Sequence, residues 1–155
     1  MRPIRRVIVH HSASRVTETA AEVRHDHVVN RGWKDIGYHW FLHRLLAPSS
    51  AGGDVPGPWT VEQGRDETVI GAHDDGENSD SIGVCIAGDY SKGPVPADGW
   101  AVLVSTVADV CRRYGLTADQ VEGHREHETA ASATLCPGFD PEELRDSVRV
   151  ALARA

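Results

Sequence analysis

Three side chains far apart in this sequence could together hold a soft divalent metal ion. His10 and His11 close an apolar run near one end, and His124 stands in Gly123-His124-Arg125-Glu126-His127 near the other. Twelve positions after His124 comes Cys136, in Thr134-Leu135-Cys136-Pro137-Gly138. Imidazole nitrogens and a thiolate suit zinc, a borderline-soft ion that takes tetrahedral nitrogen and sulfur ligands. Two histidines and one cysteine leave a fourth position open, which is the catalytic arrangement, whereas a structural site is closed by a fourth protein ligand. The residues alone do not choose within each histidine pair. Neighbours on a strand point to opposite faces, so at most one of His10 and His11 serves a given site. His124 and His127 are three apart, so one helical turn could present both, or one could bind while the other is surface. Each pair alone also has a plain reading, because a strand-end histidine is more often structural or solvated than a ligand.

Such a site needs a scaffold that brings positions 10, 124 and 136 together. Arg5 to His10 reads as a short buried strand. A helix is expected from about Thr17 to Asn30, with Thr19 and Glu22 spaced as a capping box and Gly32 as the stop signal. Tyr38 to Arg44 reads as a strand from its aromatic content, and Trp59 to Gln63 as a shorter one. Ile82 to Ala87 carries no polar side chain, so both of its faces are expected to be covered. From Asp98 onward, Trp100, Leu103, Val104, Val107, Val110, Cys111 and Tyr114 share one face at helical spacing, and Gly115 ends the run. A last helix opens at Asp140, with Pro141 at its first position and Glu143 spaced for a capping box. Ala47 to Pro58, rich in proline, glycine and serine, reads as an exposed irregular loop. Strands alternating with helices predict an α/β fold: a single domain over 1–155, with a central mixed sheet of about five strands flanked by about three helices.

Composition narrows the partners. The chain has 155 residues, enough for one core, and a formal net charge of −7. That acidity argues against nucleic acid and against anionic membrane surfaces, since both need a basic face. No apolar run approaches the ~18 residues of a membrane helix. Val7-Ile8-Val9 falls far short of the ~7–15 residues of a signal-peptide core, so synthesis in the cytoplasm without a signal peptide is expected. Three cysteines, an odd number, speak against a disulfide framework. Cys85 and Cys111 sit in apolar patterns and read as small core residues, whereas Cys136 stands among polar residues beside Pro137-Gly138.

Six short motifs in order resemble the type-2 N-acetylmuramoyl-L-alanine amidase family, which includes small phage amidase lysozymes and animal peptidoglycan recognition proteins. They are Val9-His10-His11-Ser12-Ala13-Ser14; Gly32-Trp33-Lys34-Asp35-Ile36-Gly37-Tyr38-His39; Gly64-Arg65 with Gly71-Ala72-His73; Asn78 with Ser81-Ile82-Gly83-Val84-Cys85-Ile86-Ala87-Gly88; Gly123-His124-Arg125; and Cys136-Pro137-Gly138. The resemblance runs from about Ile8 to Phe139. It implies a Zn2+ ion on His10, His124 and Cys136, not on His11 or His127. It implies catalytic roles for Tyr38, Thr134 and His73, and a substrate groove with Asn78, Trp33 and His27, where His27 reads rather as a structural or wall residue. The implied reaction is hydrolysis of the amide between N-acetylmuramic acid and L-alanine in peptidoglycan, by a monomeric phage endolysin released to the wall.

This chain departs from the resemblance in three places. Thr134 stands where many phage members carry a lysine, Cys85 where some bacterial members carry a glutamate, and the 47–58 stretch where relatives have a tight turn. That stretch is expected to lie away from the metal. Alternative readings are a peptidoglycan-binding module, a phage regulator that also binds RNA polymerase, and a zinc peptidase acting on the stem peptide. Retention of both Cys136 and Tyr38 favours an enzyme over a binding module.

Overall fold

The computed structural model describes residues 1–127 and 133–154. Strands β1 (Arg6–His11), β2 (Trp40–Pro48), β3 (Asp54–Gln63), β4 (Ser81–Ile86) and β5 (Val121–Gly123) form one mixed sheet in the order β3-β2-β4-β1-β5. β1 runs parallel to β4 and to β5, β2 runs parallel to β4, and only the β2–β3 pair is antiparallel. Three helices complete the described fold: α1 (Ala20–His25), α2 (Ala97–Tyr114) and α3 (Pro141–Ala153). The expected α/β architecture of five strands and three helices is the one observed. β5, three residues long, is the strand that periodicity does not reveal.

Alternation along the central strands sorts the two faces. Val7 and Val9 of β1 join Ile82, Val84 and Ile86 of β4 in the larger core, against Leu103, Val107 and Val110 of α2 and Leu144 and Val148 of α3. Each fully buried side chain of this size contributes about 1.5–3 kcal/mol. The opposite face holds a smaller cluster of Ala20, Val23, Ile36, Phe41, Cys85 and Ala87, with Tyr38 packed against it. His10 shares the face of Cys85, its register partner on β4. His11 points to the other face, where its Nδ1 accepts the backbone N–H of Tyr90 at 3.0 Å.

Two elements differ from expectation. The helix foreseen from Thr17 to Asn30 is short: the Thr19–Glu22 capping box forms, but after His25 the backbone widens into a π-type turn over Asp26–Asn30, closed by Arg31 N–H to Asp26 O at 3.2 Å. Such widened turns often mark functional positions, and this one carries the buried His27. The 47–58 stretch is not an irregular loop. It is the distal half of the β2–β3 hairpin, with Leu46 paired to Pro56, Ala47 to Val55 and Pro48 to Asp54, after a bulge between Arg44 and Leu46. Pro56 and Pro58 lie on β3, the free edge of the sheet, and Pro48 lies on the part of β2 beyond its pairing with β4, so each strand has an unpaired side there. Gly52 and Gly53, at φ 89° and 76°, supply the turn. Two strands, β2 and β4, separate β3 from β1.

α2 ends as its sequence signals. Gly115 adopts φ 65° and donates its N–H to Cys111 O, and Arg112 and Arg113 occupy the last turn. A Cβ added at Gly115 would meet nothing within 4 Å, so the cost of a side chain there is conformational alone. Gly115→Ala should therefore lower unfolding free energy by about 1–2 kcal/mol, read from urea denaturation. An unchanged midpoint would show that α2 can end without this left-handed residue.

Candidate metal centre

β1, the turn after β5 and the loop before α3 converge on one point. His10 is the penultimate residue of β1, on the face of the smaller cluster, His124 begins a 3-10 turn over His124–His127 directly after β5, and Cys136 stands in the loop before α3. Arg125 N–H to Cys136 O at 2.7 Å ties the last two segments together. The donor atoms of His10, His124 and Cys136 all lie within 4.8 Å of one another. His11 and His127 are not part of the group.

Hydrogen bonds assign the tautomer of His10. The Ser81 hydroxyl donates to Glu77 O at 2.7 Å, so its oxygen accepts from His73 Nε2–H at 3.2 Å. His73 Nδ1 is then an acceptor, and it lies 3.0 Å from His10 Nε2, which must donate. His10 Nδ1 is left with a free lone pair, facing Cys136 Sγ at 3.7 Å. No charge is needed along this chain, and burial together with the neighbouring imidazoles holds both His10 and His73 well below the usual histidine range. The His73 ring lies directly on Gly83 of β4, where an added Cβ would come within 2.5 Å of it.

Cys136 is buried and accepts the His11 backbone N–H at 3.4 Å. Burial pushes its thiol up to about 12, although the His11 N–H works the other way. Thr134 Oγ1 accepts Cys136 N–H at 3.1 Å, so its hydroxyl shapes the cysteine loop. Tyr38 does not sit on β2 as the aromatic pattern suggested but in the segment just before it. Its ring lies 5.2 Å from that of His10, between centroids. Burial, with Cys85 and Cys136 adding to it, raises its phenol well above the usual value. Its hydroxyl keeps its proton at neutral pH in the metal-free protein and can donate a hydrogen bond.

The foreseen groove residues divide. A cleft of about 410 Å³ is lined by Trp33, Ala72, His73, Asp74, Asp75, Asn78 and His124. Asn78 also has a structural task, since its Oδ1 accepts the backbone N–H groups of His73 and Asp74 at 2.8 and 3.1 Å. His27 does not line this cleft. Its Nδ1 accepts Gly37 N–H at 2.9 Å, and its ring packs on Trp33 at 4.6 Å, so it holds the 33–38 segment in place. Sequence reasoning did not single out Ser81, Asp74 or Glu122. Asp74 is buried beside His124 and His127, and Glu122 on β5 faces the far side of His127. Burial opposes a charge on His127, but hydrogen bonds to Asp74 and Glu122 outweigh it and raise its pKa. The adjacency of Asp74 to His73 was the one available signal, and it is weak.

Residues 1–139 match the family described as N-acetylmuramoyl-L-alanine amidase. The endolysin of Escherichia phage T7 is 31% identical over 137 residues, covering 86% of this chain and 80% of that protein. Peptidoglycan recognition protein 1 of Bos indicus is 32% identical over 145 residues, covering 88% and 67%. Among solved structures, the N-acetylmuramoyl-L-alanine amidase LysC from Clostridium intestinale superposes with a TM-score of 0.74 at 22% identity, covering 95% of this chain and 86% of that one. At that identity the likeness is one of fold.

Two outcomes follow from the protonation pattern. In the metal-free protein burial favours the neutral imidazole of His10 and the protonated thiol of Cys136. A metal ligand must be the thiolate, so zinc uptake should release about one proton per ion. Calorimetric titration in buffers of different ionisation enthalpy measures this, and release near zero would exclude Cys136 as a ligand. The second concerns His39, whose Nδ1 accepts Gly83 N–H at 2.9 Å and whose pKa is lowered to about 4, mainly by burial. The unfolded chain takes up this proton first as pH falls. Stability should be complete above about 6.5 and decline toward pH 4, by up to about 1.4 kcal/mol per pH unit. A denaturation midpoint that stays flat across that window would contradict the buried neutral state.

Proposed function

The chain belongs to the N-acetylmuramoyl-L-alanine amidase family, and from that premise we propose a zinc-dependent endolysin that cuts the N-acetylmuramic acid–L-alanine amide of peptidoglycan. The observation that carries the zinc reading is the donor set: two imidazoles and one buried thiol converging within 4.8 Å, with the tautomer of His10 already assigned. That set fits a tetrahedral ion with one position left for substrate or water. When bound, zinc supplies Lewis-acid polarisation of the amide carbonyl and a water acidic enough to attack at neutral pH.

The chain's own residues do the rest. Tyr38, a phenol beside His10, donates a hydrogen bond to the oxyanion that develops as the carbonyl is attacked. His73 acts through His10, holding the imidazole so that Nδ1 stays free. Trp33 and Asn78 line the cleft that leads to His124 and receive the muropeptide, with His27 behind Trp33 as its support. Thr134 keeps the Cys136 loop in shape, and its neutral hydroxyl is the group we assign a supporting role toward the substrate. Residues 1–155 work as one monomeric catalytic domain, without nucleic acid and without membrane insertion, on the cell wall. No helix among the described residues is long and apolar enough to cross a membrane.

Mass spectrometry of digested peptidoglycan tests the reaction: free L-alanine amino termini and intact glycan strands are expected. Cleavage within the stem peptide instead would favour a zinc peptidase. Tyr38→Phe removes only the hydroxyl and should keep zinc content while lowering turnover on the order of 100- to 1,000-fold. Full activity in that variant would remove Tyr38 from the mechanism. Thr134→Val also frees the Cys136 N–H, so its zinc content must be measured beside its turnover.

A further inference from the structure

Asp74 is a buried carboxylate whose two oxygens face two histidines. Oδ1 lies 3.6 Å from His124 Nε2, and Oδ2 lies 2.6 Å from His127 Nδ1. The other nitrogen of His127 is 2.5 Å from Glu122 Oε2. Glu122 in turn lies 3.6 Å from Arg6 Nη1, and Arg6 also pairs with Glu77 at 2.8 Å. The row therefore alternates acid and base from the metal centre to the protein surface. It draws on β1, β5, the turn after β5 and the segment before β4, so it forms only in the folded chain.

A buried ion pair is weak evidence for stability, because desolvation offsets the attraction. The direction of the row suggests another use. His127, held at both ring nitrogens, fixes the Asp74 carboxylate, and Asn78 fixes its backbone. The oxygen left over is turned to the ring nitrogen of His124. A carboxylate there favours the Nε2–H form, leaves Nδ1 as the free donor and strengthens that donor, as in carboxylate–histidine–zinc arrangements.

We propose that Asp74 is the positioning residue of His124 for metal binding, with His127 and Glu122 as its clamp. This rests on the zinc reading above. His10 would then be oriented by a neutral chain through His73 and Ser81, and His124 by a charged one.

Metal-free protein should be titrated with Zn2+ against a chromophoric competitor chelator, and with Co2+ for its visible spectrum. The wild type is expected to bind one ion. Asp74→Asn should bind 10- to 100-fold more weakly, with an altered Co2+ spectrum, and His127→Gln should weaken binding in the same direction. Long-range 1H–15N spectra of the metal-free protein should show His124 as the Nε2–H tautomer, and a mixture in Asp74→Asn. A purely structural Asp74 would lower the melting temperature of the metal-free protein without moving tautomer or affinity, and that result overturns the proposal. Equal zinc affinity in wild type and Asp74→Asn overturns it too. A wild type that binds no zinc instead overturns the zinc reading itself. If Asp74→Asn does not fold, His127→Gln carries the same readouts, and unchanged tautomer and affinity there count against the proposal.

Discussion

A strand buried between two parallel neighbours has no freedom to choose where its side chains go. β1 lies between β4 and β5, with Val7 and Val9 committed to the larger core. His10 is thereby forced to the opposite face and His11 back to the core side. The candidate metal centre depends on that parity. A one-residue slip would send His10 toward α2 and α3 and bring His11 to the site, with valines where the smaller face has Ile8. The register His10–Cys85 also sets what lies beside the site, namely a small buried thiol next to Tyr38.

The donor residues sit in different electrostatic settings, and this explains their different support. His10 is fully enclosed, where a charged partner would be expensive to bury. Its orientation comes from a neutral relay, His73 to Ser81 to a backbone carbonyl. His124 is partly exposed, near the rim, and a carboxylate can stand beside it because the counter-charges lead outward to Arg6. Cys136 receives a backbone N–H, which favours the thiolate once a metal can compensate the burial.

The same division shapes the rest of the molecule. Segments near the site are held by specific polar contacts: Gly37 by His27, the 73–74 turn by Asn78, and β4 by His39. The hairpin arm, across the sheet, is held by strand pairing, a glycine turn and a hydrogen bond from Arg44 Nη1 to Gly57 O at 2.8 Å. Its prolines and the exposed Leu45 and Leu46 lie on β3, the edge strand, or on the part of β2 that has run beyond β4, and neither would suit a strand paired on both sides.

Much of this was legible without coordinates. Capping at Thr19 and the glycine end of α2 are local, governed by a few adjacent residues, and the sequence determined them. The apolar stripes of α2 and α3, the buried character of β4 and the donor types at 10, 124 and 136 were likewise readable. The hairpin between 47 and 58 was not, because proline and glycine mark breaks unless the strand is known to be an edge, and edges are decided by topology. The choice of His10 over His11 rested on resemblance, since alternation excludes one histidine without saying which. The protonation states were out of reach altogether. The tautomer of His10 follows from Ser81, 71 positions away, and the setting of Asp74 follows from His127 and Glu122. Those are distances of a few ångströms across separate elements, and only tertiary packing brings such atoms into one chain of hydrogen bonds.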